Sequence, residues 1–79
     1  NPFKSKTTIS YTLNIEADIL LEVYNLLGEK IEILAQEKQV KGKYSYEFSA
    51  QEKGYSNGVY LVKLRANEEL LIKRIVELK

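Results

Sequence analysis

The stretch Lys43-Tyr44-Ser45-Tyr46-Glu47-Phe48-Ser49 alternates without a fault. Tyr44, Tyr46 and Phe48 fall on one side, and Ser45, Glu47 and Ser49 on the other. A repeat of two is the period of a β-strand with one face buried, and no helix can gather these three aromatic rings on one side. The neighbouring segments follow the same rule. Thr7 to Leu13 alternates Ile9, Tyr11 and Leu13 against Thr8, Ser10 and Thr12. Asp18 to Asn25 sets Ile19, Leu21 and Val23 against Leu20, Glu22 and Tyr24. The segment Leu26-Leu27-Gly28-Glu29 interrupts with a glycine free to take positive φ, which predicts a hairpin turn. Lys30 to Gln36 is then a third strand with Ile31, Ile33 and Ala35 inward and Glu32 and Gln36 outward; the two-residue repeat favours this over a helix from the good helix formers between Glu29 and Gln39. Glu37 to Gly42 reads as a charged loop before the quoted strand.

Beyond that strand, Ala50 to Asn57 has no period and ends in the turn pair Asn57-Gly58. Val59 to Arg65 places Tyr60, Val62 and Leu64 on one face. Ala66 to Glu69 is a short hairpin, and Leu70 to Leu78 sets Leu71, Lys73 and Ile75 opposite Leu70, Ile72, Val76 and Leu78. Six or seven short antiparallel strands at regular spacing predict an all-β, immunoglobulin-like β-sandwich. An open barrel of the OB type is the structural alternative, and it would expose aromatic residues to nucleic acid.

Length and composition set the outer limits. A chain of 79 residues closes one core, so residues 1–79 form a single domain, and 44% hydrophobic with 29% charged residues is a globular balance. Twelve Lys and Arg against eleven Asp and Glu give a net charge of +1, with the two signs interleaved, so nothing steers a nucleic acid. No apolar run approaches the roughly 18–20 residues of a membrane-spanning helix. The absence of cysteine excludes a disulfide-stapled module. An opening on Asn1-Pro2-Phe3 reads as a piece of a larger parent protein.

A search for chemistry finds little. With no His and no Cys, the commonest general base, the thiol nucleophile and most zinc sites are missing, and the chain reads as no enzyme with no cofactor. Asp18 is the only Asp, and the Glu residues alternate with Lys instead of clustering at calcium-ligand spacing. The neighbours Glu68 and Glu69 read as a solvated hairpin tip. Four isolated glycines serve turns, not phosphates. Tyr44, Tyr46 and Phe48 could make a stacking platform for sugars, but a small sandwich needs that bulk inside, so core is the preferred reading. Lys73, Arg74 and Lys79 read, on physics alone, as the solvated and aggregation-resistant side of an edge strand.

Four blocks carry a resemblance. They are Asn1-Pro2-Phe3 with Thr7-Thr8-Ile9-Ser10-Tyr11, Val23-Tyr24-Asn25-Leu26-Leu27-Gly28, Asn57-Gly58-Val59-Tyr60-Leu61-Val62-Lys63-Leu64, and Lys73-Arg74-Ile75-Val76-Glu77-Leu78-Lys79. In order and spacing they resemble the type A C-terminal sorting domain of the type IX secretion system (the Por secretion system), over essentially the whole chain. The family pattern often carries a second Asn-Pro where this chain has Lys4-Ser5. The resemblance implies a domain at the C-terminus of a larger cargo protein of Bacteroidota-type bacteria. It directs passage from the periplasm across the outer membrane to the cell surface or the extracellular space. The implied partners are the outer-membrane translocon and a sortase-like cysteine peptidase that removes the domain and attaches the cargo to the surface. It also implies that Gly58, Val59, Tyr60, Lys73 and Lys79 belong to the recognised signal. The competing expectations are a carbohydrate-binding module resting on the tyrosines, and a purely structural immunoglobulin-like domain such as that of flagellar hook-cap proteins, which shares the Asn-Pro-Phe opening.

Overall fold

Alternating side chains become two facing sheets. The computed structural model describes residues 6–55 and 58–77. Its six strands are β1 (Thr7–Leu13), β2 (Ala17–Asn25), β3 (Lys30–Gln39), β4 (Gly42–Phe48), β5 (Gly58–Ala66) and β6 (Glu69–Glu77). β1 and β4 pair as one antiparallel sheet, and the other runs β3-β2-β5-β6, antiparallel throughout. This is the all-β, immunoglobulin-like sandwich expected, and the separation into two sheets overturns the barrel alternative. The Asn1-Pro2-Phe3 opening, Asn57 of the expected turn pair, and the terminal Leu78 and Lys79 lie outside the described residues.

The core lies where the inner faces meet. Ile19, Leu21 and Val23 of β2 are buried beneath Leu13 and Phe48, with Tyr60 and Val62 beside them from β5. Phe48, Leu21 and Val23 are the largest fully buried side chains, and the Tyr60 ring meets Phe48 edge-on at 5.6 Å. Tyr44 and Tyr46 are partly buried against this cluster, as expected of a core stripe. Their rings stack with Tyr11 at 5.5 and 6.2 Å, and burial pushes the Tyr11 hydroxyl far above the ordinary phenol value.

Two expectations fail on β3. The strand continues through Gln39 instead of ending at Gln36, because Gln39 is buried and fully used. It accepts from the Tyr11 hydroxyl at 2.6 Å, lies 2.8 Å from the Tyr46 hydroxyl, and donates to Glu37 at 3.0 Å. The inward and outward sides also differ from the expected pattern. Leu21 faces Ala35 and Glu22 faces Ile33, so Leu34 is an extra residue; Val23 faces Glu32 and Tyr24 faces Lys30, so Ile31 is another. Each such bulge resets the alternation. Ile33, expected inside, is therefore 44% exposed, while Leu34 and Ile31 pack on the core and Glu32, expected outside, turns to the rim of the inner face.

Candidate functional site: the terminal hairpin

β5 and β6 form the last hairpin, joined by the two-residue turn Asn67-Glu68. Asn67 adopts φ 55°, a left-handed conformation that asparagine tolerates better than most residues. Its amide N–H donates to the Asp18 carbonyl at 2.9 Å, and its Oδ1 accepts from the Asp18 N–H at 2.9 Å. The tip of the hairpin is thus tied to the start of β2. The register then runs Leu64 with Leu71, Val62 with Lys73, Tyr60 with Ile75, Val59 with Val76 and Gly58 with Glu77.

This register decides where the expected signal residues stand. Gly58, Val59 and Tyr60 open β5 directly alongside the last described residues of β6. Tyr60 is buried in the core, so its side chain holds the hairpin while the start of β5 meets solvent in part. Lys73 stands on the same strand face as Leu71 and Ile75, two residue pairs from Tyr60, and is exposed. Lys79 lies outside the described residues.

Among the described residues the facing sheet has two strands, β1 and β4, and these leave β6 uncovered. A groove of about 590 Å³ opens between β1 and β6, with Tyr11, Leu13, Ile15, Leu64 and Leu71 among its walls. A second one, of about 270 Å³, continues past Ile9, Val62, Lys73 and Ile75. Leu70, Leu71 and Ile72 are 42%, 69% and 59% exposed. Three consecutive apolar residues in a strand put apolar surface on both faces.

On the outer face the charges are organised around Glu22. It is buried although it faces outward, since Lys30, Tyr24 and Lys63 lie around it. Lys30 reaches its carboxylate at 2.8 Å, the Tyr24 hydroxyl donates to it at 3.1 Å, and the Lys63 ammonium sits 4.6 Å from the centre of the Tyr24 ring. Burial pushes the Glu22 carboxyl up, but the bonds from Lys30 and Tyr24 together with the charges of Lys30 and Lys63 outweigh it, so the group lies below its ordinary value. The hydrogen bond to Glu22 in turn raises Lys30. This network is structural. Arg65, Lys73 and Arg74 have no ion pair among the described residues.

No group of three or more potential metal ligands occurs among the described residues. Tyr55 is 43% exposed in its loop, apart from the stacked rings of Tyr11, Tyr44 and Tyr46 that turn inward. A family model described as "Secretion system C-terminal sorting domain" matches residues 1–78. No curated protein and no solved structure gives a match.

Proposed function

The chain belongs to the secretion system C-terminal sorting domain family, the type IX sorting tails, and from that premise we propose that the terminal hairpin is the part of the domain its export machinery reads. The family supports a C-terminal sorting role and export across the outer membrane toward the cell surface or extracellular space. The observation that carries the reading is the register of β5 with β6. It brings Gly58, Val59 and the buried Tyr60 against the end of β6 and puts Lys73 two pairs away on an uncovered strand face, so residues distant in sequence belong to one two-stranded unit. A partner adding a strand to an open edge gains main-chain hydrogen bonds and reads alternate side chains for specificity.

In this proposal the domain is the substrate of its machinery and does no chemistry itself. The outer-membrane translocon is the reader, and a sortase-like cysteine peptidase acts after passage, cutting ahead of the domain so that the cargo is attached to the surface. The source is a bacterium of the Bacteroidota type, and the periplasm is the compartment of transit. Lys79 completes the signal beyond the described residues. The stacked tyrosines, turned into the core, give no support to a carbohydrate platform.

The test is a reporter fused ahead of residues 1–79 in a type IX-competent host. Removing residues 70–79 abolishes surface export, and Lys73→Glu reduces it while the reporter stays folded. Export undiminished by the truncation would overturn the proposal.

A further inference from the structure

The open edge of β6 is complementary to itself. Among the described residues β6 pairs only with β5, and the two-residue turn closes the hairpin on the pair Ala66 with Glu69. In an antiparallel ladder main-chain groups alternate in direction from one residue to the next. Those of Glu69, Leu71 and Lys73 therefore turn to β5, and those of Leu70, Ile72 and Arg74 turn to the open edge.

A second copy can meet this edge across a two-fold axis, and the hydrogen-bonding alternation restricts the centre of symmetry to a residue, not a point between two. Centred on Leu71, every cross-strand pair is favourable. Leu71 meets Leu71, Leu70 meets Ile72 and Glu69 meets Lys73, and Glu68, in the turn just ahead of β6, comes beside Arg74. The outward main-chain groups of Leu70 and Ile72 then face one another as a hydrogen-bonded pair. Centred on Ile72, Leu70 would face Arg74 and Leu71 would face Lys73. Centred on Leu70, Glu68 would face Ile72 and Glu69 would face Leu71. Both of these set charge against apolar surface.

We infer that β6 is a homodimerisation edge, pairing antiparallel with β6 of a second copy about Leu71 to join the two four-stranded sheets into one. Three observations support this. The residues that would meet are solvent-exposed, the apolar ones at 42%, 69% and 59%. Lys73 and Arg74 have no carboxylate partner within their own chain among the described residues, and each acquires one across the axis. An inward-facing lysine usually blocks edge pairing by repulsion. Here the same lysine faces a glutamate in the symmetric register, so the guard becomes a selector for one partner and one alignment. The inference does not rest on the export reading.

The experiment uses the 79-residue chain, whose lack of cysteine makes a single introduced thiol unambiguous. Leu71→Cys forms an intermolecular disulfide under mild oxidation, because that residue lies on the axis, whereas Leu70→Cys, offset from its own copy by two residues, does not. Sedimentation equilibrium shows concentration-dependent dimer. Lys73→Glu, which sets two acidic residues opposite each other, lowers the association constant at least about tenfold, and Glu69→Lys combined with Lys73→Glu restores it to within about threefold. These side chains are exposed, so circular dichroism of each variant matches that of the parent. A chain that stays monomeric to about 1 mM, or a charge exchange that fails to rescue, overturns the inference.

Discussion

Asn67 and Asp18 are joined by a reciprocal pair of hydrogen bonds, each 2.9 Å long, that lock the tip of the last hairpin to the first residues of β2. One of the two uses the asparagine side chain, and the same residue carries the positive φ of the turn. Asn67→Gly keeps the backbone conformation and loses one bond, costing about 0.5–1.5 kcal/mol. Asn67→Ala loses the bond and strains the turn, and costs about 1–2 kcal/mol more than the glycine variant. Urea denaturation orders the three proteins, and equal losses for the two variants would refute the conformational part.

Glu22 predicts an acid-dependent contribution to stability. Its carboxyl lies below the ordinary value of 4.5 in the folded chain, so the unfolded chain takes up the proton first as pH falls. The stabilisation is complete above that ordinary value and disappears as pH drops through the lower, folded one. Because Lys30 is half exposed, the pair is partly screened, and Glu22→Gln costs about 1–2 kcal/mol near neutrality. Melting curves of parent and variant should stay separated by a constant gap from neutrality down to the ordinary carboxyl value and converge as pH falls through the lower, folded one. A gap that persists at acid pH would show that the effect is packing.

Phe48 is almost wholly buried at the meeting point of both sheets, against the Tyr60 ring. Phe48→Ala removes about 3–5 kcal/mol, close to the whole stability of a domain this small. Collapse of the cooperative unfolding transition, with chemical shifts of an unfolded chain, is the expected result. Phe48→Leu keeps most of the volume and leaves a folded domain of lower melting temperature.

The two irregularities of β3 are testable by a pair of lysines. Ile33→Lys places a charge on the exposed face opposite Glu22 and shifts stability by no more than about 0.5 kcal/mol. Ala35→Lys, two positions on, buries the charge opposite Leu21 and prevents folding. If the strand followed a strict repeat of two, both would be equally harmful, and amide spectra of the two variants decide between the alternatives.

That strand also marks the boundary of what the amino-acid order reveals. β1, β4 and β5 are legible within a residue because each has one buried face and an unbroken repeat. β3 carries Ile31, Ile33, Leu34 and Ala35 in a run that suits either face, and only pairing with β2 decides which residues are extra. Gln39 is equally opaque, since a polar residue in a charged stretch reads as loop until Tyr11 and Tyr46 arrive from the other sheet to surround it. The terminal hairpin was legible as two strands, and the apolar triplet Leu70-Leu71-Ile72 announced surface on both faces. Nothing local announced that the opposing sheet would be too narrow to cover it.

Among the described residues β6 pairs with β5 alone, while β2 is gripped from both sides. Unfolding free energy is not shared evenly in such an arrangement. Outer strands with solvent-facing main chain exchange their amide hydrogens through small local openings, and central ones exchange only when the entire domain melts. The end of this chain can therefore peel away and offer itself as an extended peptide while Ile19, Leu21, Val23 and Phe48 keep the remainder intact. An outer strand of this kind carries the candidate signal, which makes it an address that can be unwound for reading without unfolding the parcel.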